Sequence, residues 1–238
     1  MSGKLRVRRS ESVLAQLGAD IAAGRFQTGQ PVPTEAELVE TYRVGRSTVR
    51  EAISSLVGHG MLQATPRRGT VVTDRAQWNT LNRNVLRWLM DSKIHTMGIL
   101  EAIDEARRIF EPASAALVAK RASRHQIIEI ETAYAKMEEA AGRGDADAAI
   151  VADREFHFAI LRATGNPILE AFDTALDSVL GLLFSVTANH MDNFRANLGN
   201  HLAVVEAIRA KMPEAAERAM LETINFTTEK MKGAKLIE

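Results

Sequence analysis

The stretch PTEAELVETYRVGRSTVREAISSLVGHGMLQATPRRGTVVT, residues 33–73, decides the fold. Thr34 and Glu37 stand at capping-box spacing, where hydroxyl and carboxylate each satisfy the other's orphan backbone donor. The helix they open is short and ends near Tyr42; Arg43-Val44-Gly45 makes a turn, and a further helix runs from Ser47 to His59, stopped by Gly58 and Gly60. The apolar period then changes, and Leu62–Thr65 and Thr70–Thr73 read as short strands around the basic turn Pro66-Arg67-Arg68-Gly69. Upstream, residues 10–24 put Val13, Leu14, Leu17 and Ile21 at helical spacing, with Ser10 as cap and Gly24 as stop. Gly29, Pro31 and Pro33 forbid a helix or a central strand in between. Three short helices followed by a two-stranded ribbon outline a winged helix-turn-helix.

Composition narrows the class. The 238 residues are 46% hydrophobic and 25% charged, which is globular and neither disordered nor fibrous. The absence of cysteine excludes a disulfide scaffold, a thiol catalyst and thiolate metal sites. No apolar run approaches the ~20 residues that span a bilayer. The basic start MSGKLRVRRSESV lacks the apolar core of a secretory signal, so a soluble cytoplasmic protein is expected. The net charge of zero hides an asymmetry: residues 1–75 hold 11 Lys/Arg against 7 Asp/Glu, and the remainder hold 19 against 23. A basic piece joined to an acidic one points to two domains with different partners.

In helix-turn-helix recognition the second helix of the pair enters the DNA major groove amino end first. Here Arg46 and Arg50, four apart, share a face, and Arg suits bidentate contact with guanine or a phosphate pair. Gly45, Ser47 and Thr48 are small enough for backbone approach to phosphate, and Val49, Ala52, Ile53, Leu56 and Val57 supply a buried stripe. Arg67 and Arg68 at the ribbon tip reach a neighbouring groove or the backbone. A solvated helix face would also carry such an Arg pair; with the capping box, the Val-Gly turn and the basic tip, DNA binding is the stronger reading.

These motifs closely resemble the GntR family of bacterial transcriptional regulators over residues 10–73. The resemblance implies DNA contacts from Arg46, Ser47, Thr48 and Arg50, and from Arg67, Arg68 and Gly69 in the wing. Many members carry an Arg where this chain has Ala36, so a contact from the second helix is missing and the operator sequence is open.

Residues 74–84 read as a linker leading to a short helix at Val85–Met90. From Ile99 the pattern is helical, over 98–121, 124–141, 146–163, 168–187, 194–211 and 213–232. Breaks fall at Ser123, Gly142-Arg143-Gly144, Gly165-Asn166-Pro167, Asn189–Asn193 and Pro213. The fold expected is mainly α: a winged helix-turn-helix domain (1–75), a linker with a short helix (76–96), and an all-α antiparallel bundle for effector binding and dimerisation (97–238).

Four of the six histidines, His59, His95, His125 and His190, lie at helix ends or breaks and read as surface or capping residues. Asp153 and His157 are four apart on one helix face, where a carboxylate and an imidazole can close on one divalent metal, or simply hydrogen-bond. His201 on another helix would complete the set. The region 97–232 resembles the helical effector domain of the FadR-type branch of the family, called FCD, through EARRIFEPA (105–113), DREFH (153–157) and NHLAVVEAI (200–208). The resemblance implies Asp153, His157 and His201 as ligands of a divalent metal, Zn²⁺ ahead of Mn²⁺ or Ni²⁺. A fourth histidine would fall near Thr223, where none occurs, leaving either an open metal site or residues that bind the effector directly. Arg107 matches the family's pocket-facing Arg, which would pair with an effector carboxylate; the alternative is an i, i+4 partner of Glu111 on an exposed face.

The connector AQWNTLNRNVLRW (76–88) is similar to that of the galactonate-operon repressors of this branch, which implies a sugar-acid effector, galactonate or a related aldonate. The expectation is a homodimeric repressor on an inverted-repeat operator, released when a small carboxylate effector binds Arg107, Asp153, His157 and His201. It has no catalytic residues and no membrane partner. The competing readings are a metal sensor without organic effector and a metal-dependent enzyme acting on a sugar acid.

Overall fold

The computed structural model describes residues 2–92, 94–173 and 190–233. The chain divides into two compact units, Met1–Thr96 and Met97–Glu238. The first opens with α1 (Ser2–Ala22), then α2 (Glu35–Tyr42), α3 (Arg46–Gly58), β1 (Leu62–Thr65), β2 (Gly69–Val72), a 3-10 turn (Arg75–Gln77) and α4 (Arg83–Asp91). The winged helix-turn-helix expected from the sequence is present.

Thr34 caps α2 in a complete capping box, its amide donating to Glu37 Oε2 at 2.7 Å. The strands pair antiparallel from Leu62↔Val72 to Thr65↔Gly69. The segment with Gly29 and Pro31 lies along the outer side of β2, the Gly29 amide donating to Val72 O and the Val32 amide to Thr70 O. Proline is tolerated there because an edge segment need not donate from every residue. Val13, Leu17 and Ile21 from α1, Leu38 from α2, Val49 and Leu56 from α3, and Trp88 and Leu89 from α4 form the core. Trp88 seats directly on α1: a Cβ at Gly18 would lie 2.4 Å from its ring. Gly60, with φ +74, turns the chain after α3 where any side chain would strike Gln77 O.

Two expectations here are corrected. Ser10 is not a cap, because α1 is already helical from Ser2: no glycine beyond Gly3 and no proline interrupts residues 4–9, and Lys, Arg and Leu there favour helix. Val57 is 42% exposed and falls outside the buried stripe of α3, where Thr48 is buried instead.

The second unit is all-helical among the described residues: α5 (Thr96–Arg121), α6 (Arg124–Arg143), α7 (Ala146–Ala163), α8 (Pro167–Glu170), α9 (His190–Arg209) and α10 (Pro213–Gly233). Local chemistry sets the boundaries. Ser123 and Gln126 form a capping box at α6, left-handed Gly144 ends that helix, and Asp145 caps α7. Asn166 caps α8, where Pro167 takes the first helical position. α6 packs on α7, and α9 on α10 and α6, around Met137, Phe156, Ile160, Val204, Ile208 and Met220.

α10 is tied to α5 by polar bonds, Thr228 Oγ1 to Asp104 Oδ1 at 2.7 Å and Arg108 Nη1 to Asn225 Oδ1 at 2.8 Å. The helix expected over 168–187 is seen only as α8, followed by a turn at Ala171–Phe172; from 174 to 187 it lies outside the described residues. The break expected near Asn189–Asn193 is absent over 190–193, which already belong to α9, with Asp192 in its first turn where the helix dipole favours a carboxylate. No helix among the described residues is long and apolar enough to cross a membrane.

Candidate DNA interface and effector site

α3 begins at Arg46 behind Gly45, which offers no side chain to cap the first turn. An uncapped amino end leaves amide donors pointing outward, the arrangement that suits phosphate. Arg46, Ser47 and Arg50 are exposed, and Arg50 Nε donates to Glu35 Oε2 at 2.8 Å, a contact that splints α3 to the start of α2. Thr48 is only 5% exposed, so its expected role as a contact is revised. It lies four before buried Ala52 and shares the inward face.

At the ribbon tip the Arg68 amide donates to Thr65 O, closing a turn in which Arg67 stands at φ +63. A non-glycine residue there is strained, and the exposed Arg67 is held out at the apex. Arg68 Nη2 donates to Gly29 O at 3.2 Å, which ties the exposed wing to the body of the domain, and Gly69 follows at φ +78.

In the second unit α7 supplies Asp153 and His157, and α9 supplies His201. Their side-chain ligand atoms lie within 4.8 Å of one another, a group able to hold a metal ion. His201 Nε2 is 3.2 Å from Asp153 Oδ1, and His157 Nε2 is 4.0 Å from the same oxygen. Each imidazole turns its other nitrogen outward from this group. His201 Nδ1 is 2.9 Å from Asn197 O, one helical turn earlier, and His157 Nδ1 is 2.5 Å from Glu111 Oε2 of α5. With its Nδ1 turned to an oxygen, each ring keeps Nε2 for a metal ion, which would there take the place of a proton directed at Asp153. Phe156, fully buried, packs edge-on against both rings.

Arg107 is both partner of Glu111 and buried: its Nε donates to Glu111 Oε1 at 2.5 Å, and both side chains are 2% exposed. The exposed-face alternative is excluded by that burial. Arg107 Nη1 is buried with no hydrogen-bond partner among the described residues. Burial pushes the Glu111 carboxyl up, but Arg107 and His157 outweigh it and hold it at about 2. Burial likewise raises Asp153, and the His201 hydrogen bond with the charges of His157, His201 and Arg107 brings it below the usual carboxylate range. Arg107 is raised: burial works against its charge, but Glu111, Asp153 and Asp104 more than compensate.

Thr223 is 1% exposed and donates its hydroxyl to Ala219 O, while its own carbonyl accepts from Asn197 Nδ2 at 3.2 Å. The sequence presents Glu111 only as an i, i+4 partner for Arg107 and does not single out Asn197. The signals present were R-x-x-x-E on α5 and a polar residue four before His201. Of the other histidines, His59 is half-buried against Trp88, His95 contacts Arg75, and His125 lies near Glu129; the side chain of His190 lies outside the described residues.

Comparison with known proteins accords with both halves. Residues 9–72 match the model of the bacterial regulatory proteins, gntR family, and residues 102–226 match that of the FCD domain. The chain belongs to the GntR family. It is 31% identical over 229 residues to the galactonate operon transcriptional repressor of Escherichia coli K12, covering 96% of this chain and 99% of that one. It is 29% identical to the transcriptional repressor NanR of Cronobacter sakazakii, covering 92% and 84%. Among solved structures, a Streptococcus agalactiae GntR protein superposes with a TM-score of 0.53 at 26% identity, covering 92% of this chain and 99% of that one. The Listeria monocytogenes regulator Lar, at 16% identity, shares the fold with a TM-score of 0.62 over 94% and 96%. This GntR-family chain is thus a DNA-binding transcriptional regulator with an FCD effector domain, not an enzyme, and the enzyme reading is set aside.

Proposed function

We propose that this regulator is a homodimeric repressor of a sugar-acid catabolic operon, released from an inverted-repeat operator when a galactonate-like hydroxy acid binds in the FCD bundle. The observation that carries the reading is the convergence of buried His157 and His201 with the partly buried Asp153, near buried Arg107, whose Nη1 has no hydrogen-bond partner among the described residues. The donor set fits a divalent cation, with Zn²⁺ favoured over Mn²⁺ or Ni²⁺: two imidazoles and a carboxylate converge, and both Nδ1 atoms face oxygens. Asp153, His157 and His201 would hold the ion, which would supply Lewis acidity toward a carboxylate and an adjacent hydroxyl. With both imidazoles neutral, as metal ligands are, Arg107, Glu111 and Asp153 set one cation against two carboxylates; a divalent cation would reverse that balance, and a monoanionic effector would restore neutrality. Arg107 Nη1 would take the effector carboxylate. The galactonate operon repressor of E. coli, matched over nearly the whole chain, supports the choice of aldonate.

Arg46, Ser47 and Arg50, with Arg67, Arg68 and Gly69 of the wing, would contact the operator. Dimer symmetry calls for a two-fold operator. Release requires the effector to bind more tightly to the dimer arrangement whose recognition helices miss the half-sites, and DNA must weaken effector binding by the same factor. The connector would transmit the change, and the seat of Trp88 on Gly18 gives α4 a firm hold on α1.

The test is calorimetric titration of aldonic acids into zinc-loaded and chelator-treated protein. Saturable binding of galactonate or a close epimer to the zinc-loaded form alone is expected. Binding unaffected by chelation would remove the metal from the site, and absence of binding by every aldonate would remove the effector class.

A further inference from the structure

We infer that Glu111 is the positioning residue of the effector site, one carboxylate serving the metal-binding and the anion-binding arms together; this rests on the proposed metal-centred pocket. Its two oxygens are divided. Oε1 accepts from Arg107 Nε at 2.5 Å, and Oε2 stands 2.5 Å from His157 Nδ1. All three side chains are 2% exposed, so water does not compete for these contacts. Among the described residues neither Glu111 Oε2 nor His157 Nδ1 has any other partner, so a proton on Nδ1 would have Glu111 Oε2, 2.5 Å away, as its one acceptor.

That proton fixes the ring. With Nδ1–H directed at Glu111, His157 offers Nε2 toward Asp153 Oδ1, 4.0 Å away, as a lone pair rather than an N–H. On the other side, Glu111 engages only Nε of the guanidinium and leaves the buried Nη1 for a second acceptor. Glu111 is on α5 with Arg107, and His157 is on α7, so the same carboxylate sets the spacing of the two helices at the site.

The glutamine amide makes the inference sharp. Glu111→Gln puts one oxygen and one NH₂ group in place of two acceptors. If the oxygen faces Arg107, the NH₂ meets His157 Nδ1–H, and the ring must move its proton to Nε2 and lose the metal-facing lone pair. If the oxygen faces His157, the NH₂ meets the guanidinium, and Arg107 is released.

The experiment compares full-length wild type, Glu111→Gln and, as a control for loss of a surface carboxylate, Glu139→Gln. Zn²⁺ is titrated by calorimetry, and imidazole ¹⁵N spectra are recorded on labelled protein without added metal, with His157→Gln used to assign the ring. The expected result is a 10- to 100-fold loss of Zn²⁺ affinity in Glu111→Gln only, the range found for removing a partner of a ligating histidine. The ¹⁵N shifts of wild-type His157 should show the proton on Nδ1. Because the spectrum is read on wild type, it decides even if Glu111→Gln does not fold. A wild-type ring protonated on Nε2, or wild-type Zn²⁺ affinity in a folded Glu111→Gln protein, overturns the inference. Failure of wild type itself to bind Zn²⁺ overturns the metal-centred reading on which it rests.

Discussion

His201 Nε2 and Asp153 Oδ1 lie 3.2 Å apart across two helices, in a core where both rings of the site turn their Nδ1 atoms away from each other. The contact joins α9 to α7 at the point where the metal and effector would bind. His201→Ala should therefore abolish Zn²⁺ binding and the aldonate response while keeping operator affinity within about twofold of wild type. Calorimetry and anisotropy on one preparation check both halves. A normal effector response in this variant would contradict the metal-centred pocket.

Arg46 and Arg50 are exposed at the start of α3, and each is expected to contribute to operator binding. Replacing either with alanine should reduce specific affinity by ~1–3 kcal/mol for a base contact, or lower the salt slope by about one for a phosphate contact. Effector binding should be unchanged. For Arg50→Ala a small loss of stability is also expected, since the Glu35 contact is surface-exposed and such pairs contribute ~0.2–1 kcal/mol.

Arg67 holds a left-handed backbone at φ +63 in the wing. If that strain serves DNA contact, Arg67→Gly should raise the unfolding free energy of the winged unit by up to ~1 kcal/mol and weaken operator binding at the same time. Urea titration and anisotropy would show the two effects with opposite sign. Unchanged DNA affinity would remove Arg67 from the interface.

Gly18 is in helical backbone, so the residue there is set by contact rather than by conformation. A methyl group would stand 2.4 Å from the Trp88 ring, and Gly18→Ala should destabilise the winged unit by ~1–3 kcal/mol despite its better helix propensity. Thr34→Ala, which removes the capping box of α2, should cost about 1 kcal/mol. Chemical denaturation monitored by tryptophan fluorescence measures both.

The winged domain was legible because its signals are local: Thr34 with Glu37, the glycines after α3, and apolar alternation on either side of Pro66-Arg67-Arg68. The same locality explains the errors. Ser10 had the chemistry of a cap but no breaker before it, and Thr48, read as small enough for backbone approach to phosphate, gave no sign that the packing of α3 would bury its side chain with Ala52. In the bundle, Asp153 and His157 were visible as a four-residue spacing, and His201 through the resemblance to the FCD family. Glu111 was not, because its contact with His157 joins helices 46 residues apart in the chain, and nothing in the spacing of α5 distinguishes a buried Arg-Glu pair from an exposed one. Asn197 was hidden for another reason: it orients His201 through a backbone carbonyl, which any residue would supply.

The most direct test of the account is fluorescence anisotropy of the full-length protein on DNA from upstream of its own gene, against a scrambled duplex, with galactonate and related aldonates added in the presence of Zn²⁺. Two salt concentrations separate specific from phosphate-driven binding. Preference for the native fragment is expected, lost on adding one aldonate and retained with that aldonate in His201→Ala. Specific DNA binding that no aldonate alters, with or without Zn²⁺, would contradict it.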